Sequence, residues 1–512
     1  MHLGSPAATQ SESAETARLT ILSRTATLTE ALAEWARFTP TAVAVTHGDH
    51  RLTYAELWAA IERLAGTLRS SGAGPGSVIA LRLARGWRQI VAIGAVLEVG
   101  AAFVPVDPAY PPSRQEYVLG DSAATMVIED QGDDFAVRHV ELTEAAPAPP
   151  GTAYILYTSG STGQPKGVVV GQAHVLSLLR SCFALLDIDH RDVWTLFHSY
   201  SFDFSVWEMW GCLLSGGRLI VVDLETAIEP AAFSSLLTEQ GVTILNLVPS
   251  VFSVLAEYAV SGAVEFPRLR YVVFGGEAIK VEAINRWAEA GVAPAASMVN
   301  MYGITETTVH VTFAPLTVPA RRRDGFTPIG KPLPHLDVVI ADEDLRRVPP
   351  LCVGEILVAG ESLAYGYWRR PELTAERFTT RDGVRYYRSG DSAYADEEGF
   401  LYYVGRIDEQ VKVRGHRIEL AEVEAALREP AYVTDGACVV KRGPAGHEVL
   451  VAYVVALSRG DASDSELRTS LRSHLRTRLP AHEVPGMVRF CDRLPLTPSG
   501  KVDRARLAAA ES

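Results

Sequence analysis

The sequence lacks several features that would each indicate a particular class of protein. Its five cysteines are far apart and odd in number, and neither a C-x-x-C pair nor an H-E-x-x-H pattern occurs. Neither a disulfide framework nor a zinc site is therefore predicted. Lys and Arg number 48 against 61 Asp and Glu, a formal net charge of −13. This charge argues against binding nucleic acid through a basic face.

No segment typical of secretion or membrane insertion is evident either. The first residues contain no basic segment followed by an apolar one, so no signal peptide is predicted. The longest apolar stretch, residues 90–106, is interrupted by Glu98 and is typical of a buried helix followed by a strand. A cytoplasmic protein that binds neither membrane nor nucleic acid is therefore expected.

What the sequence does contain predicts several folding units. At roughly 150 residues per domain, 512 residues correspond to two to four units. Residues 1–26 are rich in Ser, Ala and Thr and are predicted to be disordered, with order starting at the capping box Thr27–Glu30. Short apolar strands such as residues 271–274 then alternate with amphipathic helices, which predicts parallel sheets covered by helices.

The pattern changes twice in the second half of the chain. After residue 320, short strands and turns predict a β-rich unit. After residue 408, strands and two helices predict a separate α+β domain of about 100 residues. One of these helices begins at a second capping box, Ser463–Glu466.

A loop rich in glycine and hydroxyl side chains, residues 157–167, follows an apolar strand. Its glycines let the backbone approach a ligand, and its hydroxyls and Lys166 can donate to phosphate oxygens. It is not a Walker A loop, because no Gly-Lys-Ser/Thr closes it, and no G-x-G-x-x-G fingerprint occurs. By composition alone, a flexible polar surface loop is the alternative.

This loop is one of ten short sequence blocks that follow one another in a fixed order along the chain. They are residues 52–57 (LTYAEL), 100–107 (GAAFVPVD), 157–167 (YTSGSTGQPKG), 202–208 (FDFSVWE), 300–306 (NMYGITE), 354–356 (GEI), 387–391 (YRSGD), 405–420 (GRIDEQVKVRGHRIEL), 479–480 (LP) and 498–504 (PSGKVDR). From Leu52 to Arg504 the chain thus resembles the adenylate-forming enzymes, which include acyl-CoA synthetases, luciferases and adenylation domains of nonribosomal peptide synthetases. Among these it looks like a free-standing adenylation domain with a threonine-type pocket.

The resemblance implies an α/β multidomain fold. A large N-terminal domain, residues 27–407, would hold two α/β subdomains and the β-rich subdomain. A small mobile C-terminal α+β domain, residues 408–512, would swing about a hinge at Asp408. The implied reaction uses ATP and Mg²⁺: a carboxylate attacks the α-phosphate and releases pyrophosphate, and a thiol then attacks the acyl-adenylate and expels AMP.

The same resemblance implies residue roles. Lys501 would bridge the substrate carboxylate and the α-phosphate, Thr305 would contact that phosphate, and Glu306 would hold Mg²⁺. Tyr302 would stack on adenine and Asp391 would accept the ribose hydroxyls. The full set expected around the nucleotide is Thr158, Ser159, Gly160, Ser161, Thr162, Gly163, Lys166, Gly275, Gly276, Glu277, Asn300, Met301, Tyr302, Gly303, Asp391, Tyr403 and Arg406. Taken singly, each of these residues also fits an ordinary structural role.

Asp203 distinguishes amino-acid activation within this family. A carboxylate in an apolar helix is costly unless it is paired, and a substrate ammonium would pair with it. A solvated aspartate that caps the helix is the alternative. The pocket positions implied are Asp203, Phe204, Trp207, Asn246, Val273, Gly275, Met301, Val309, His310 and Lys501. They look like a pocket for L-threonine, in which Asn246 and His310 could bond the side-chain hydroxyl.

The acyl acceptor is expected outside the chain. No carrier-protein domain follows Arg504, so if the chain is complete, a phosphopantetheinyl carrier protein in trans is expected, with an MbtH-like helper as a possible partner. The product would be a nonribosomal peptide or a related natural product. Two alternatives stay open: a CoA ligase for a small carboxylic acid, and a non-catalytic scaffold of the same fold.

Overall fold

The computed structural model describes residue 18 and residues 20–132, 134–140, 146–160, 164–321, 326–407, 410–442, 448–456, 463–495 and 502–510. The predicted site residues Ser161, Thr162, Gly163, Asp408 and Lys501 lie outside the described residues. In the part of the chain that is described, no helix combines the length and the apolar character needed to cross a membrane.

The strands are numbered in chain order. They are β1 (Val43–His47), β2 (His50–Thr53), β3 (Val78–Arg82), β4 (Ala102–Pro105), β5 (Met126–Gln131), β6 (Asp134–His139), β7 (Thr152–Thr158), β8 (Lys166–Gly171), β9 (Val193–Leu196), β10 (Arg218–Val221), β11 (Ile244–Leu247), β12 (Tyr271–Phe274), β13 (Ser297–Asn300), β14 (Thr312–Leu316), β15 (Thr327–Pro332), β16 (Leu336–Ala341), β17 (Gly354–Gly360), β18 (Gly366–Tyr367), β19 (Phe378–Arg381), β20 (Val384–Ala395), β21 (Leu401–Arg406), β22 (Gln410–Val413), β23 (His416–Glu419), β24 (Val433–Arg442), β25 (Glu448–Ala456) and β26 (Met487–Phe490).

The helices are numbered in the same way. They are α1 (Leu28–Phe38), α2 (Tyr54–Ser70), α3 (Trp87–Glu98), α4 (Pro112–Ser122), α5 (Gln172–Leu185), α6 (Phe204–Leu213), α7 (Leu224–Ile228), α8 (Pro230–Glu239), α9 (Pro249–Ser261), α10 (Val281–Glu289), α11 (Pro371–Arg377), α12 (Leu420–Arg428), α13 (Asp464–Arg478) and α14 (Arg504–Ala509), with a 3₁₀ turn at Thr305–Thr307.

Two mixed sheets form the α/β part of the large domain. In the first, the order is β18-β8-β7-β4-β3-β5-β6, with β7, β4, β3 and β5 parallel and the outer strands antiparallel. In the second, β1, β10, β9, β11, β12 and β13 run parallel. The same ladder continues through β14 and β15 into the antiparallel strands β16, β17, β20 and β21. The expected two α/β subdomains and β-rich subdomain are confirmed.

The small domain has a core of its own. Strands β24, β25 and β26 form one sheet, and α12 and α13 cover it through buried residues such as Val423, Leu427, Leu471 and Leu475. The β22–β23 hairpin precedes this sheet. Its residues Lys412 to Arg417 reach into the large domain, where they meet the candidate site described below.

Both predicted capping boxes are present. Thr27 caps α1 together with Glu30, and Ser463 caps α13 together with Glu466. The predicted disordered segment, 1–26, extends too far, because residues 20–24 are helical. Ile21 and Leu22 are buried in the core of the large domain, and burial of these two side chains stabilises a segment whose composition indicated disorder.

Trp35 joins the first helix to the second sheet. It is fully buried, its indole Nε1 donates to the Leu214 carbonyl at 3.0 Å, and its ring lies where a Cβ on Gly216 would fall. Phe38, one turn along the same helix, packs edge-on against the Trp35 ring but is 46% exposed.

We expect Trp35→Ala to lower the free energy of unfolding of the large domain by about 3–5 kcal/mol, because it leaves a cavity and removes the donor to Leu214. The matched control Phe38→Ala should cost roughly 1 kcal/mol or less, since its ring is half-exposed. Urea unfolding followed by circular dichroism measures both. Equal losses would contradict the role given to Trp35.

Candidate active site

The predicted residues converge at the carboxyl ends of the parallel strands of the second sheet. Strands β12 and β13 are in register at their last residues, Phe274 and Asn300. The loops that follow them, residues 275–277 and 301–305, therefore lie side by side. Ligands of parallel sheets bind at this edge, and the glycine-containing turns that the sequence analysis singled out lie there.

A small cavity of about 50 Å³ lies between these loops and α6. Of the predicted pocket residues, those on its wall are Asp203, Phe204, Gly275, Met301, Val309 and His310. Trp207, Asn246 and Val273 lie behind this wall, all fully buried. The structure thus brings the described members of the predicted pocket together around a space suited to a small side chain.

Asp203 is the carboxylate of this pocket. It occupies the N-cap position of α6, but its side chain makes no capping hydrogen bond, and it is only 7% exposed. Burial raises its pKa to about 6, although a hydrogen bond with Thr305 opposes the shift. The solvated helix cap considered as an alternative does not describe this buried side chain. A carboxylate in such a place is best stabilised by a cation.

Two polar atoms around the pocket have no hydrogen-bond partner among the residues that the structure describes. The Asn246 carbonyl oxygen accepts from Trp207 Nε1 at 2.8 Å, which leaves its Nδ2 donor buried and unsatisfied. His310 packs edge-on against Phe204 and Trp207, and its Nε2 is also buried and unsatisfied. Burial lowers the pKa of His310 to about 3, so the imidazole is neutral. Unsatisfied buried polar groups of this kind favour a polar ligand.

Seven of the predicted nucleotide residues line a second recess of about 30 Å³; they are Gly276, Glu277, Asn300, Met301, Tyr302, Gly303 and Tyr403. The Tyr302 hydroxyl donates to Asp391 Oδ2 at 2.7 Å, and Arg406 and Tyr403 contact Oδ1 at 3.0 and 3.4 Å. Lys412 of the small domain lies 5.6 and 5.9 Å from the centroids of the two tyrosine rings. Asp391 therefore already has three partners in this arrangement of the domains.

Further predicted residues line or support the recess. Asn300 Nδ2 donates to the Pro328 carbonyl at 2.7 Å. Glu277 accepts from the amide of Ser250 and, across the domain boundary, from the amide of Gly415 at 2.6 Å. Gly415 has φ +80°, and a Cβ there would meet Val248 at 2.4 Å, so only glycine allows this close approach. The recess wall also includes Gly276, Met301 and Gly303.

Glu306 is the centre of an ion cluster. It is fully buried, accepts from the Tyr367 hydroxyl at 2.7 Å and from Arg417 at 2.9 Å, and lies 3.7 Å from Lys166. Burial alone would raise its pKa, but Arg417 and Lys166 outweigh burial and hold its pKa below the usual range. Burial lowers the pKa of Lys166 to about 8. An ionised carboxylate at this place suits a hard cation once Arg417 moves away.

A Mg²⁺ ion at this place would be coordinated partly by the protein and partly by the bound nucleotide. Among the described residues, no three His, Cys, Asp or Glu side chains are arranged to hold a metal ion. Glu306 would be one protein ligand, and phosphate oxygens would complete the coordination, as is usual for Mg²⁺.

The phosphate loop joins the antiparallel strands β7 and β8, and its described residues contact the small domain. Ser159 donates to the Arg417 carbonyl at 2.7 Å, and the Gly160 amide donates to Glu422 at 3.3 Å. Thr158 Oγ1 is buried and has no partner. The donors expected for phosphate are thus partly engaged by the protein itself.

Sequence reasoning missed the side chains that the small domain contributes. Lys412 and Arg417 lie within a block that the sequence analysis identified, but their roles were not assigned. Their signal was basic residues in two short strands flanking the glycine turn at Gly415. Glu422 and its partner Arg114, at 2.5 Å, gave no signal, because 308 residues separate them in the chain.

A larger cavity of about 530 Å³, here called the interdomain cavity, leads from the surface to this site. At its rim are Asp223 and Glu225, and at its inner end are Asp203 and Thr305. The small domain closes one side of it with His416, Arg417, Ala481, His482 and Glu483. A ligand in this cavity could therefore reach the pocket of Asp203 without passing through the nucleotide recess.

Comparisons with known proteins agree with this arrangement. The family described as "AMP-binding enzyme" matches residues 32–368, and "AMP-binding enzyme C-terminal domain" matches residues 422–501. A dimodular nonribosomal peptide synthase of Bacillus subtilis (strain 168) is 39% identical over 95% of this chain. The chain spans only about a fifth of the first curated relatives, 22% and 19% of their lengths.

Two further relatives match over most of their own length. Syringomycin synthase SyrB1 of Pseudomonas syringae pv. syringae is 36% identical, with 94% of this chain and 81% of the relative covered. The solved structure of holo-PA1221, an NRPS protein containing adenylation and PCP domains, is 27% identical with a TM-score of 0.81, and 94% of this chain and 84% of that one are covered. The chain belongs to the AMP-binding enzyme family.

Proposed function

We propose that this chain activates an α-amino acid with ATP, forming an aminoacyl-adenylate and releasing pyrophosphate. The observation that carries the proposal is Asp203, a buried carboxyl on the wall of a small pocket, whose ionised form a nearby cation would stabilise. The ammonium of an α-amino acid would supply that cation and restore ionisation of the carboxylate. A simple carboxylic acid has no group that could do so.

Each of the residues around Asp203 would have a separate role in the adenylation step. Thr305 lies between the pocket and the interdomain cavity, where it can contact the α-phosphate. Glu306 would hold Mg²⁺, which neutralises phosphate charge when it is bound. Lys501 would bridge the substrate carboxylate and the α-phosphate and so offset the repulsion between two anions. Tyr302, Tyr403, Asp391 and Arg406 would hold adenine and ribose.

Threonine is the amino acid that this pocket favours. Asn246 Nδ2 is an unsatisfied donor, and neutral His310 can accept, so a side-chain hydroxyl would satisfy both atoms. Valine has the shape of threonine but would leave both atoms unsatisfied, a rejection of about 10⁴-fold in a site of this kind. Serine lacks only a methyl group, so its rejection should be about 10–200-fold.

The second half of the proposed reaction transfers the aminoacyl group to the phosphopantetheine thiol of a carrier protein in trans. The interdomain cavity supports this, because it leads to Asp203 and Thr305 while Lys412 and Arg417 occupy the nucleotide side. The arrangement fits a small domain that has turned about Asp408 after adenylation. The names of the relatives support a role in nonribosomal peptide biosynthesis, and we propose an MbtH-like helper as a further partner.

Two other functions compete with this proposal. A CoA ligase for a small carboxylic acid would share the fold and the cavity, but would have no use for Asp203. A non-catalytic scaffold would have no reason to keep Lys166, Glu306 and Asp391 in buried charged clusters, which are costly to fold. Comparing CoA with a holo carrier protein as acceptor separates the ligase from the proposed function.

Threonine should support faster ATP–pyrophosphate exchange than any other proteinogenic amino acid, followed by serine and then valine. Assay of the full set of amino acids, with Lys501→Ala as the inactive control, measures this order. The control should lose at least about 10²-fold in rate, because a charge that stabilises the transition state is removed. Equal exchange rates with valine and threonine would contradict the proposed threonine specificity. The absence of exchange with every amino acid would contradict the proposed amino-acid activation.

His310→Leu should reduce the preference for threonine over valine, measured as the ratio of their kcat/KM values, by about 10–100-fold, because the hydroxyl loses its acceptor. The matched control is Met301→Leu, which alters the apolar wall of the same pocket and removes no polar atom. It should retain the preference. An unchanged ratio in His310→Leu would show that the hydroxyl is not read at this position.

Acid pH should weaken amino-acid binding. With its pKa at about 6, Asp203 becomes protonated as the pH falls through 6 and loses the charge that pairs with an ammonium. KM for threonine should be flat above pH 7 and rise about tenfold per pH unit well below 6, whereas KM for ATP changes less. In Asp203→Asn, KM should be high and independent of pH. A wild-type KM that stays flat from pH 5 to 8 would contradict the role of Asp203.

A further inference from the structure

A buried acidic side chain lines the small-domain wall of the interdomain cavity. Glu483 follows α13 by five residues and is only 2% exposed. Its Oε2 has no hydrogen-bond partner, and its Oε1 lies 3.7 Å from His482 Nε2, too far for a hydrogen bond. Glu483 has no role in the proposed adenylation step and does not line the nucleotide recess. Its partner would therefore be a ligand in the interdomain cavity.

The charges around Glu483 decide its ionisation. Arg114, in α4 of the large domain, is bonded to Glu422 at 2.5 Å, and Glu422 also accepts from the Gly160 amide. Glu483 is thus a second carboxyl beside a pair that is already balanced. Burial and the nearby Glu422 raise the pKa of Glu483 to about 8, against the opposing effect of Arg114. At neutral pH this carboxyl is protonated and uncharged.

The two histidines of this wall and Tyr110 opposite them are uncharged as well, whereas Arg417 of the same wall is paired with Glu306. The rings of His416 and His482 stack at 3.8 Å. Burial lowers the pKa of His416 to about 4 and that of His482 well below its usual value. Burial raises the pKa of Tyr110 to about 12. Glu483, the two histidines and Tyr110 are thus polar side chains without charge, and the nearby Arg114 and Arg417 are each paired with a glutamate. Such a set of side chains suits a polar ligand that forms hydrogen bonds.

We propose that Glu483 is a specificity-determining residue that binds a secondary amide in the arm of the thiol acceptor. A protonated carboxyl donates through its O–H and accepts through its carbonyl, so it matches the C=O and N–H of an amide in both directions. The interdomain cavity then favours thiols on an amide-bearing arm. This inference rests on the proposed transfer half-reaction and adds to it the chemistry by which the acceptor is recognised.

The test measures transfer from preformed adenylate in a single turnover. Wild type, Glu483→Met and Glu483→Gln are each loaded with threonine and ATP, and then receive either pantetheine, which carries two amides, or 1-butanethiol, which carries none. We expect Glu483→Met to raise the half-saturating concentration of pantetheine about fivefold to tenfold and to leave that of butanethiol unchanged. Glu483→Gln should stay within about twofold of wild type, because glutamine also donates and accepts.

A matched control and a pH series separate recognition from support of the fold. Glu398→Met, in an exposed turn remote from the cavity, should change neither thiol. The ratio of wild type to Glu483→Gln in transfer to pantetheine should be flat below pH 7 and fall above about pH 8, where the carboxyl loses its donor proton. Thiol ionisation is common to both proteins and cancels in the ratio.

Three results would overturn the inference: equal losses for both thiols in Glu483→Met, unchanged pantetheine saturation in that variant, or a flat pH ratio. Failure of the underlying function is distinguishable: wild type would release no pyrophosphate if adenylation failed, and would release pyrophosphate but form no thioester with either thiol if transfer failed.

Discussion

The arrangement of the two domains depends on the buried carboxylate of Glu306. Its large-domain partners are Lys166 and Tyr367, and its small-domain partner is Arg417. A buried carboxylate must be paired with a cation. The cation that pairs with Glu306 therefore contributes to the free energy of domain closure. A metal ion held by Glu306 would compete with Arg417 for the same oxygens. Occupation of the nucleotide site would then be linked to the position of the small domain through this one side chain.

The contacts around this carboxylate follow one physical rule. The Gly415 amide donates to Glu277, and the Gly160 amide donates to Glu422. Lys412 lies over the tyrosine rings beside Asp391. Each small-domain group meets a large-domain group of complementary charge or hydrogen-bonding type. The nucleotide side of the site is thus satisfied by protein atoms, while the interdomain cavity stays open. A nucleotide bound in the proposed site would have to displace these contacts, and its binding would then be coupled to movement of the small domain.

Local sequence patterns predicted the elements and many of the contacts within the large domain. The capping boxes at Thr27 and Ser463 are present because they depend on residues three apart. The pocket set around Asp203 converges because the ends of β11, β12 and β13 are adjacent in a parallel sheet. The helical residues 20–24 were missed, since their stability comes from burial of Ile21 and Leu22 against distant segments rather than from local composition.

Ordered motifs and hydrophobic periodicity in the sequence were enough to predict the family, the α/β architecture and a set of candidate site residues. The burial, hydrogen bonding and charge pairing of these residues depend on the tertiary structure. It placed Asp203 out of solvent, left Asn246 and His310 with unsatisfied atoms, paired Glu306 with Arg417, and set Glu483 beside Glu422 and Arg114. Burial and charge pairing depend on segments hundreds of residues apart, and no local pattern in the chain encodes that proximity.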